Sequence, residues 1–262
     1  MFRDWKYMTK PQITKAVGQL ANLTSNSVGV CDELSGAALV DNLHFVQRCI
    51  HNATRKAEQT SYWRGQKPSL LAVSKTISPA FIKCCYNAGQ MKFGENYIQE
   101  LFNKSNALKS ECPNIEWHFI GTVQSNKIAK LAEIDNLTCV ETICSKKHSS
   151  MLAQAIAKHN RTLKVLVQVN TSKEKQKGGT TPELAVELAK FIQAHCPSLK
   201  FGGFMTIVMV HTRFCEITGE KEEDFELSMG MSQDFEAAIM LGSTSVRVGS
   251  AIFGPRLLQG KQ

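Results

Sequence analysis

Eight short apolar segments, separated by stretches with helical spacing, are the feature that most restricts how this chain can fold. The segments lie at 70–73, 91–94, 117–120, 138–141, 164–170, 201–207, 226–229 and 245–248. No Asn-Gly or Asp-Gly hairpin turn joins neighbouring segments, and nearly every segment precedes a helix-like stretch. Strands joined by crossover helices are parallel. Eight such units in roughly 230 residues predict an α/β fold, a single (β/α)8 TIM-type barrel.

Three stretches modify this simple alternation. Residues 1–33 are basic and poor in acidic residues, so we expect a disordered N-terminal extension before a barrel at 34–262. Apolar residues recur every three or four positions within 36–60, which predicts an extra N-terminal helix. The interval 208–225 contains Gly219 and a charge run and shows no amphipathic pattern. We therefore predict that the barrel lacks or shortens the helix after its sixth strand.

Composition restricts the functional class and the compartment. The chain is 43% hydrophobic and 21% charged, as in ordinary globular proteins, and no apolar segment is long enough to span a bilayer. The net charge of +8 comes from scattered residues, which favours small anionic ligands over a nucleic-acid partner. The nine cysteines show no Cys-x-x-Cys spacing. We predict reduced thiols, no membrane partner and a cytoplasmic location, with a mitochondrial location as the alternative.

A lysine stands where the first strand ends. The apolar run 70–73 is followed by Lys75, and Ser78 with Pro79 then opens a helix. The chemistry of α/β barrels is concentrated at this end of the strands. A half-desolvated lysine loses its proton readily, and its neutral amine can form a Schiff base. A surface lysine at a strand end is the alternative interpretation.

The last two strand–helix units are rich in glycine and hydroxyl side chains. Gly230 and Ser232 follow the seventh strand, and Gly249 and Ser250 follow the eighth. Loops at these positions of a barrel commonly bind phosphate through backbone N–H groups, although ordinary caps and turns are the alternative. Arg247 lies between two valines in the eighth strand. It must point inward towards a partner or lie along the outer helices.

Six motifs lie near the predicted strand ends: AVSKT at 72–76, FGENYIQE at 93–100, WHFIG at 117–121, QSNK at 124–127, LSMGMS at 227–232 and VRVGSAIFG at 246–254. Together they resemble the motifs of the pyridoxal phosphate homeostasis protein family. The resemblance runs in order from about residue 36 to the end. It implies the fold-type III barrel shared with the N-terminal domain of alanine racemase. It also implies pyridoxal 5′-phosphate (PLP) as the cofactor, held by Lys75 as an internal aldimine.

The same resemblance implies roles for the remaining site residues. Arg247 would contact the pyridine nitrogen. Independently of the resemblance, Asn96 opens the helix after the second strand and so lies at the rim of the site, with an ordinary helix-start residue as the alternative. The phosphate would be held by two segments, whose residues are Ser228, Met229, Gly230 and Ser232 in the first and Gly249 and Ser250 in the second. Arginine stays protonated and donates a hydrogen bond, which leaves the ring nitrogen unprotonated. An unprotonated ring is a poor electron sink, which suits a carrier better than a catalyst.

The predicted function is PLP binding and intracellular vitamin B6 homeostasis. We expect a monomeric carrier without firm catalytic activity that hands PLP to PLP-dependent apoenzymes. The alternative is a PLP-dependent amino-acid racemase, which needs a second base supplied in that family by a tyrosine of a C-terminal β-domain. We expect no such domain, because the chain ends soon after its eighth strand. A barrel that binds nucleic acid is a third interpretation and rests on net charge alone.

Overall fold

The computed structural model describes residues 35–170, 178–205 and 208–254. Within them, eight parallel strands form a closed barrel in the order β1 to β8. The strands are β1 Ser69–Val73, β2 Lys92–Glu95, β3 Glu116–Phe119, β4 Leu137–Ile143, β5 Leu163–Gln168, β6 Leu199–Met205, β7 Glu226–Ser228 and β8 Ser245–Val248. The predicted (β/α)8 barrel is therefore confirmed. The extension predicted at 1–33 lies outside the described residues.

Helices surround the barrel. They are α1 Gly36–Ala57, α2 Pro79–Asn87, α3 Ile98–Leu108, α4 Ile128–Ala132, α5 Lys146–Ala157, α6 Pro182–His195, α7 Val208–Thr218, α8 Phe235–Met240 and α9 Ser250–Phe253. Short 3-10 turns precede α4 at Ser125–Lys127 and β7 at Glu222–Asp224. None of the helices described here has the length and hydrophobicity that crossing a bilayer requires.

The predicted N-terminal helix is present as α1. Its first turn is capped by Ser35, whose Oγ accepts a hydrogen bond from the N–H of Ala38. Leu39, Leu43 and Val46 lie on one buried face of α1, as the sequence spacing predicts. This face packs against α2, α8 and α9, so α1 adds a layer outside the part of the barrel where β8 meets β1.

A helix follows the sixth strand, so the prediction that this helix is missing is wrong. α7 has 11 residues, as does α3, and His211, Phe214 and Cys215 lie on its buried side. The ring of Phe214 packs with three other phenylalanines, whose centroids lie 5.2–5.5 Å away: Phe201, Phe204 and Phe225. The pattern is hard to recognise in the sequence because a histidine begins the buried face and β-branched residues are frequent in this helix.

Side-chain hydroxyls complete the closure of the barrel between β7 and β8. The two strands share one register pair, Ser228 with Ser245. Around it, Ser243 Oγ lies 2.8–3.2 Å from the carbonyl oxygens of Leu227, Met229 and Ser245, which share its one proton as alternative acceptors. The N–H of Met229 donates to the carbonyl of Ser245 at 3.0 Å. This junction, residues 226–249, is called the β7–β8 seam below.

Candidate functional site

The loops after β1 and β8 meet at the C-terminal end of the barrel. Ala72 pairs with Val248 in the register of the two strands. A Cβ atom on Gly249 would lie 3.2 Å from the carbonyl oxygen of Val73, so only a glycine allows this close approach without a shift. The structure therefore places the segment that carries Lys75 beside Gly249 and Ser250, as the sequence predicts for one shared site.

Lys75 lies half-buried in a backbone segment that is held on both sides. Before it, Ser74 is fully buried and its Oγ donates to Glu95 Oε1 at 2.6 Å. After it, Thr76 has a φ of +65°, in the left-handed region that β-branched residues rarely adopt. The N–H of Thr76 donates to Glu100 Oε1 at 2.6 Å.

Behind this segment lies a buried lysine that the sequence interpretation missed. Lys104, on α3, is 4% exposed. Its Nζ donates to Glu95 Oε1, Glu100 Oε1 and the carbonyl oxygen of Ser74, at 2.7–2.8 Å. The signal was available, because Lys104 stands at a helical interval from Leu101 and Leu108 on the buried face of α3.

Arg247 points into the barrel, where it begins a chain of hydrogen bonds. Its Nη1 donates to Ser228 Oγ at 2.6 Å, and Ser228 Oγ donates to Glu141 Oε2 at 2.6 Å. The other oxygen of Glu141 lies 2.7 Å from His118 Nδ1. We call these four residues the cross-barrel chain. A hydroxyl has one proton to donate, so the Ser228 hydroxyl accepts a hydrogen bond from Arg247 and donates its own proton to Glu141.

The charges of the cross-barrel chain are mutually dependent. Burial alone would raise the pKa of the Glu141 carboxyl, but the hydrogen bond from His118, the charge of Arg247 and the hydrogen bond from Ser228 outweigh it. The pKa of Glu141 therefore lies below its ordinary value. Burial lowers the pKa of Arg247, and the charge of Glu141 opposes that effect. At neutral pH the pair is an arginine cation facing a carboxylate through one hydroxyl.

Three side chains near this chain have the identities of metal ligands. One potential ligand atom each from His118, Cys139 and Glu141 lies within 4.8 Å of the other two. His118 and Glu141 already bond to each other, and the cations Arg247 and Lys164 act on Glu141 and Cys139. Nearby positive charge opposes a bound metal cation. The cluster is therefore explained as part of the polar interior of the barrel.

The two predicted phosphate segments are joined by Ser232. Its Oγ accepts hydrogen bonds from the N–H groups of Gly249 and Ala251, at 3.2 and 3.5 Å. Gly230 has a φ of +97°, and a Cβ there would lie 2.6 Å from the Cβ of Ala238. Asp234, and not Ser232, holds the N-cap position of α8.

Asn96 lies at the same end of the barrel, after β2. Its Oδ1 is buried and has no hydrogen-bond partner in the part of the chain that the structure describes. Its backbone is packed closely, since a Cβ on Gly121 would overlap the carbonyl of Asn96. A buried carbonyl-type oxygen without a partner is costly, and a bound ligand with an N–H or O–H group would satisfy it.

Comparison with known proteins agrees with this geometry. The family described as "Alanine racemase, N-terminal domain" matches residues 48–256. The pyridoxal phosphate homeostasis protein of Caenorhabditis elegans is 43% identical over 243 residues, which cover 84% of this chain and 100% of that protein. This chain belongs to the pyridoxal phosphate homeostasis protein family.

Other members of the pyridoxal phosphate homeostasis protein family extend the comparison. The Mus musculus protein of that name is 42% identical over 212 residues, which cover 72% of this chain and 77% of the mouse protein. PipY from Synechococcus elongatus, solved with PLP bound, aligns with a TM-score of 0.66 and 25% identity. That alignment covers 82% of this chain and 100% of PipY. The fold and the family therefore agree with the resemblance found in the sequence motifs.

Proposed function

We propose that this chain binds PLP at the C-terminal end of its barrel through Lys75, and that it serves vitamin B6 homeostasis by holding the cofactor and releasing it. The observation that carries the proposal is the close approach of Gly249 to Val73, since the glycine- and serine-containing loop after β8 then lies beside the end of β1, which Lys75 follows. PipY, which is named with PLP bound, supports the choice of cofactor.

The residues at this end of the barrel match the chemical groups of PLP. The loops that contain Gly230, Ser232 and Gly249 lie together at this end of the barrel. The Ser232 oxygen accepts from the N–H of Gly249, which leaves the proton of its hydroxyl to donate to a phosphate. Arg247 offers a cation to the ring nitrogen. Asn96 offers an Oδ1 that otherwise has no partner. Met229 contributes through its main chain, which closes the β7–β8 seam beneath the phosphate loops.

PLP supplies an aldehyde, with which a lysine amine condenses and releases water. The role of Lys75 is to provide that amine. Arg247 stays protonated, so it would donate a hydrogen bond to the ring nitrogen of PLP and leave that nitrogen without a proton. Glu141 stabilises the arginine cation from the opposite side through Ser228. A ring held in this way withdraws electrons weakly, which favours storage of the cofactor over reaction of bound amino acids.

The proposal includes the setting in which the protein works. The eight cysteines within the described ranges are free, as expected in a reducing compartment such as the cytosol. We propose a monomer that passes PLP to apoenzymes.

The amino-acid racemase alternative is tested by assays with common amino acids, where we expect no turnover above background. Turnover of roughly 1 s⁻¹ or faster would contradict the carrier role.

Borohydride trapping tests the site directly. The purified protein is loaded with PLP, reduced and digested, and the modified lysine is located by mass spectrometry. We expect the adduct on Lys75 and none in Lys75→Ala, which should keep some non-covalent PLP through the phosphate and ring contacts. Lys127→Ala, at the same end of the barrel, is the matched control and should keep the adduct. An adduct on Lys92 or Lys127 in the unmodified chain would show that the assignment of Lys75 is wrong.

A further inference from the structure

The ammonium of Lys104 is buried with its hydrogen-bonding capacity filled. An ammonium has three donors, and the structure gives Nζ three acceptors: Glu95 Oε1, Glu100 Oε1 and the carbonyl oxygen of Ser74. Glu95 is fully buried, while the side chain of Glu100 is 22% exposed. A buried lysine is rare unless it is paired, so this cluster, called the Lys104 network below, calls for a specific explanation.

The network contacts the residues immediately before and after Lys75. On one side, Ser74 donates its hydroxyl to Glu95 and its carbonyl accepts from Lys104. On the other side, the N–H of Thr76 donates to Glu100. Both peptide units of Lys75 are therefore tied, through three charged side chains, to β2 and α3.

The backbone after Lys75 needs such support. Thr76 has a φ of +65°, a conformation that costs a β-branched residue energy and persists only where neighbouring contacts enforce it. The hydrogen bond from Thr76 N–H to Glu100 is one such contact, at 2.6 Å. A strained residue next to the proposed PLP lysine suggests that the strain serves to aim the preceding side chain.

We infer that Glu95, Glu100 and Lys104 are positioning residues that fix the backbone on both sides of Lys75 and so direct its amine into the cofactor site. This inference rests on the proposed function of Lys75. None of the three residues needs to touch the cofactor, because they act through the main chain of Ser74 and Thr76. When the network is broken, Lys75 samples more orientations, and bond formation with bound PLP becomes slower.

The electrostatics of the network show why Lys104 is its central member. Two carboxylates share one ammonium, and burial together with the charge of Glu100 raises the pKa of Glu95 while Lys104 opposes that rise. Without the ammonium, two carboxylates would lie close together in the interior, and Glu95 would take up a proton. Glu95 could then no longer accept from Ser74 in the same geometry, and the Ser74 carbonyl and the Glu100 carboxylate would both lose the Lys104 ammonium. The support of both peptide units would therefore weaken together.

The test compares Lys104→Met, Glu100→Gln and Glu100→Ala with the exposed control Lys109→Met. Lys109 follows α3 and pairs with Asp135, and its side chain is 71% exposed. Each variant is mixed with a saturating concentration of PLP. The first measurement is the rate at which borohydride-reducible adduct forms on Lys75 after mixing, and the second is the total PLP retained after gel filtration. We expect PLP retention within about twofold in all variants. The rate should fall about tenfold or more in Lys104→Met and Glu100→Ala.

Glu100→Gln separates positioning from general loss of structure. Glutamine keeps an oxygen that can accept from Thr76 N–H, so it should recover much of the rate that Glu100→Ala loses. Hydrogen exchange of residues 74–76 should accelerate in Glu100→Ala, while the melting temperature changes little because Glu100 is partly exposed. Should Lys104→Met fail to fold, the two Glu100 variants carry the test alone.

The experiment distinguishes failure of the positioning role from failure of the assignment of Lys75 as the PLP lysine. If the unmodified chain forms its adduct on a lysine other than Lys75, the site assignment fails and this inference fails with it. If Lys75 is the labelled residue but Glu100→Ala forms adduct at the unmodified rate, PLP binding stands and the positioning role is refuted. A uniform loss of PLP retention and adduct rate, without recovery in Glu100→Gln, would also refute it, because that pattern describes a structural role.

Discussion

At the scale of single residues, Glu141 is the group on which the interior charge balance depends. It is fully buried and accepts hydrogen bonds from Ser228 and His118, and Arg247 lies behind Ser228. Breaking a buried ion pair by removing one partner leaves the other charge uncompensated, which is far more costly than the net value of the pair. The carboxylate thus stabilises Arg247 in the orientation that the proposed PLP site requires.

Glu141→Leu should destabilise the protein by about 3–5 kcal/mol in urea unfolding without PLP. Arg247 then stays buried with one hydroxyl as its remaining partner in the cross-barrel chain. Glu133→Gln, at an exposed position, should change the free energy of unfolding by less than about 0.5 kcal/mol. A loss below about 1 kcal/mol in Glu141→Leu would contradict this account, because that size is typical of an exposed pair.

The titration of Glu141 gives the pH range of this stabilisation. Its pKa in the folded protein lies below the ordinary value of 4.5, so the unfolded chain binds the proton more readily. The stabilisation from Glu141 is therefore present above about pH 4.5 and is lost as the pH falls through the folded pKa. We expect the destabilisation caused by Glu141→Gln, measured by urea unfolding, to be smaller at pH 3 than at pH 7.

Individual residues differed in how far the sequence could place them. Lys75 and Arg247 were recognisable because their positions relative to strand ends restrict where they can point. The hydrogen bond of Ser228 could not be predicted from the sequence, because its hydroxyl donates to Glu141, which is 87 positions away in the chain. Lys104 could have been suspected from its place on an apolar helix face, but its acceptors come from three different elements.

At the scale of elements, α7 is held in place by a cluster at its buried histidine. Arg64, from the segment before β1, places its Nη1 2.5 Å from His211 Nδ1 and 2.5 Å from Glu222 Oε2. An arginine can only donate, so Nδ1 of His211 must be the acceptor, and the imidazole is neutral. Burial and the charge of Arg64 lower the pKa of His211 to about 4, although Glu222 opposes them.

The pH dependence of stability should therefore reveal His211. Its folded pKa of about 4 lies below the ordinary 6.5, so the unfolded chain binds more protons between these values. Stability from this group is present above pH 6.5 and decreases by about 2 kcal/mol from pH 7 to pH 4.5. Glu95 acts in the opposite direction, since its pKa is raised. The informative quantity is thus the difference between the unmodified chain and His211→Gln.

We expect His211→Gln to flatten the profile of unfolding free energy between pH 4.5 and 7. Exposed His159→Gln is the matched control and should leave the profile unchanged. Identical slopes in the unmodified chain and in His211→Gln would mean that the histidine does not titrate in the buried, neutral form that its contact with Arg64 implies.

Element prediction succeeded where burial follows from local spacing and failed where it depends on a distant partner. The strands are buried on both faces, so continuous apolar runs reveal them. α7 instead begins its buried face with a histidine whose partner, Arg64, lies 147 positions earlier. α4 is a short helix for a similar reason: the 3-10 segment Ser125–Lys127 precedes it, and at its end Arg161 donates to the carbonyl oxygens of Ala132 and Ile134.

At the scale of the whole molecule, the barrel has its fewest register pairs between neighbouring strands where the proposed cofactor binds. β7 has 3 residues, and the β7–β8 seam has one register pair supplemented by bonds from Ser243 and Thr244. β5 and β6, by contrast, share six register pairs from Leu163 to Gln168. A junction with few ladder bonds opens more readily than the rest of a sheet, so the seam should be the part of the barrel with low protection from hydrogen exchange.

PLP should close this weak junction, because it would contact the loops that follow β7 and β8 as well as Lys75, which follows β1. Ligand that binds only the folded state stabilises it by about 2.7 kcal/mol at a concentration 100 times its Kd. We expect hydrogen exchange to slow most in 226–250 on PLP addition, and less in 116–168, where neighbouring strands share more register pairs than β7 and β8 do. Lys75→Ala should retain part of this local protection, since the phosphate contacts survive without the covalent bond. Equal slowing in both segments would show that PLP acts only through global stability, and that the seam is as firmly closed as β4 to β6 before the cofactor binds.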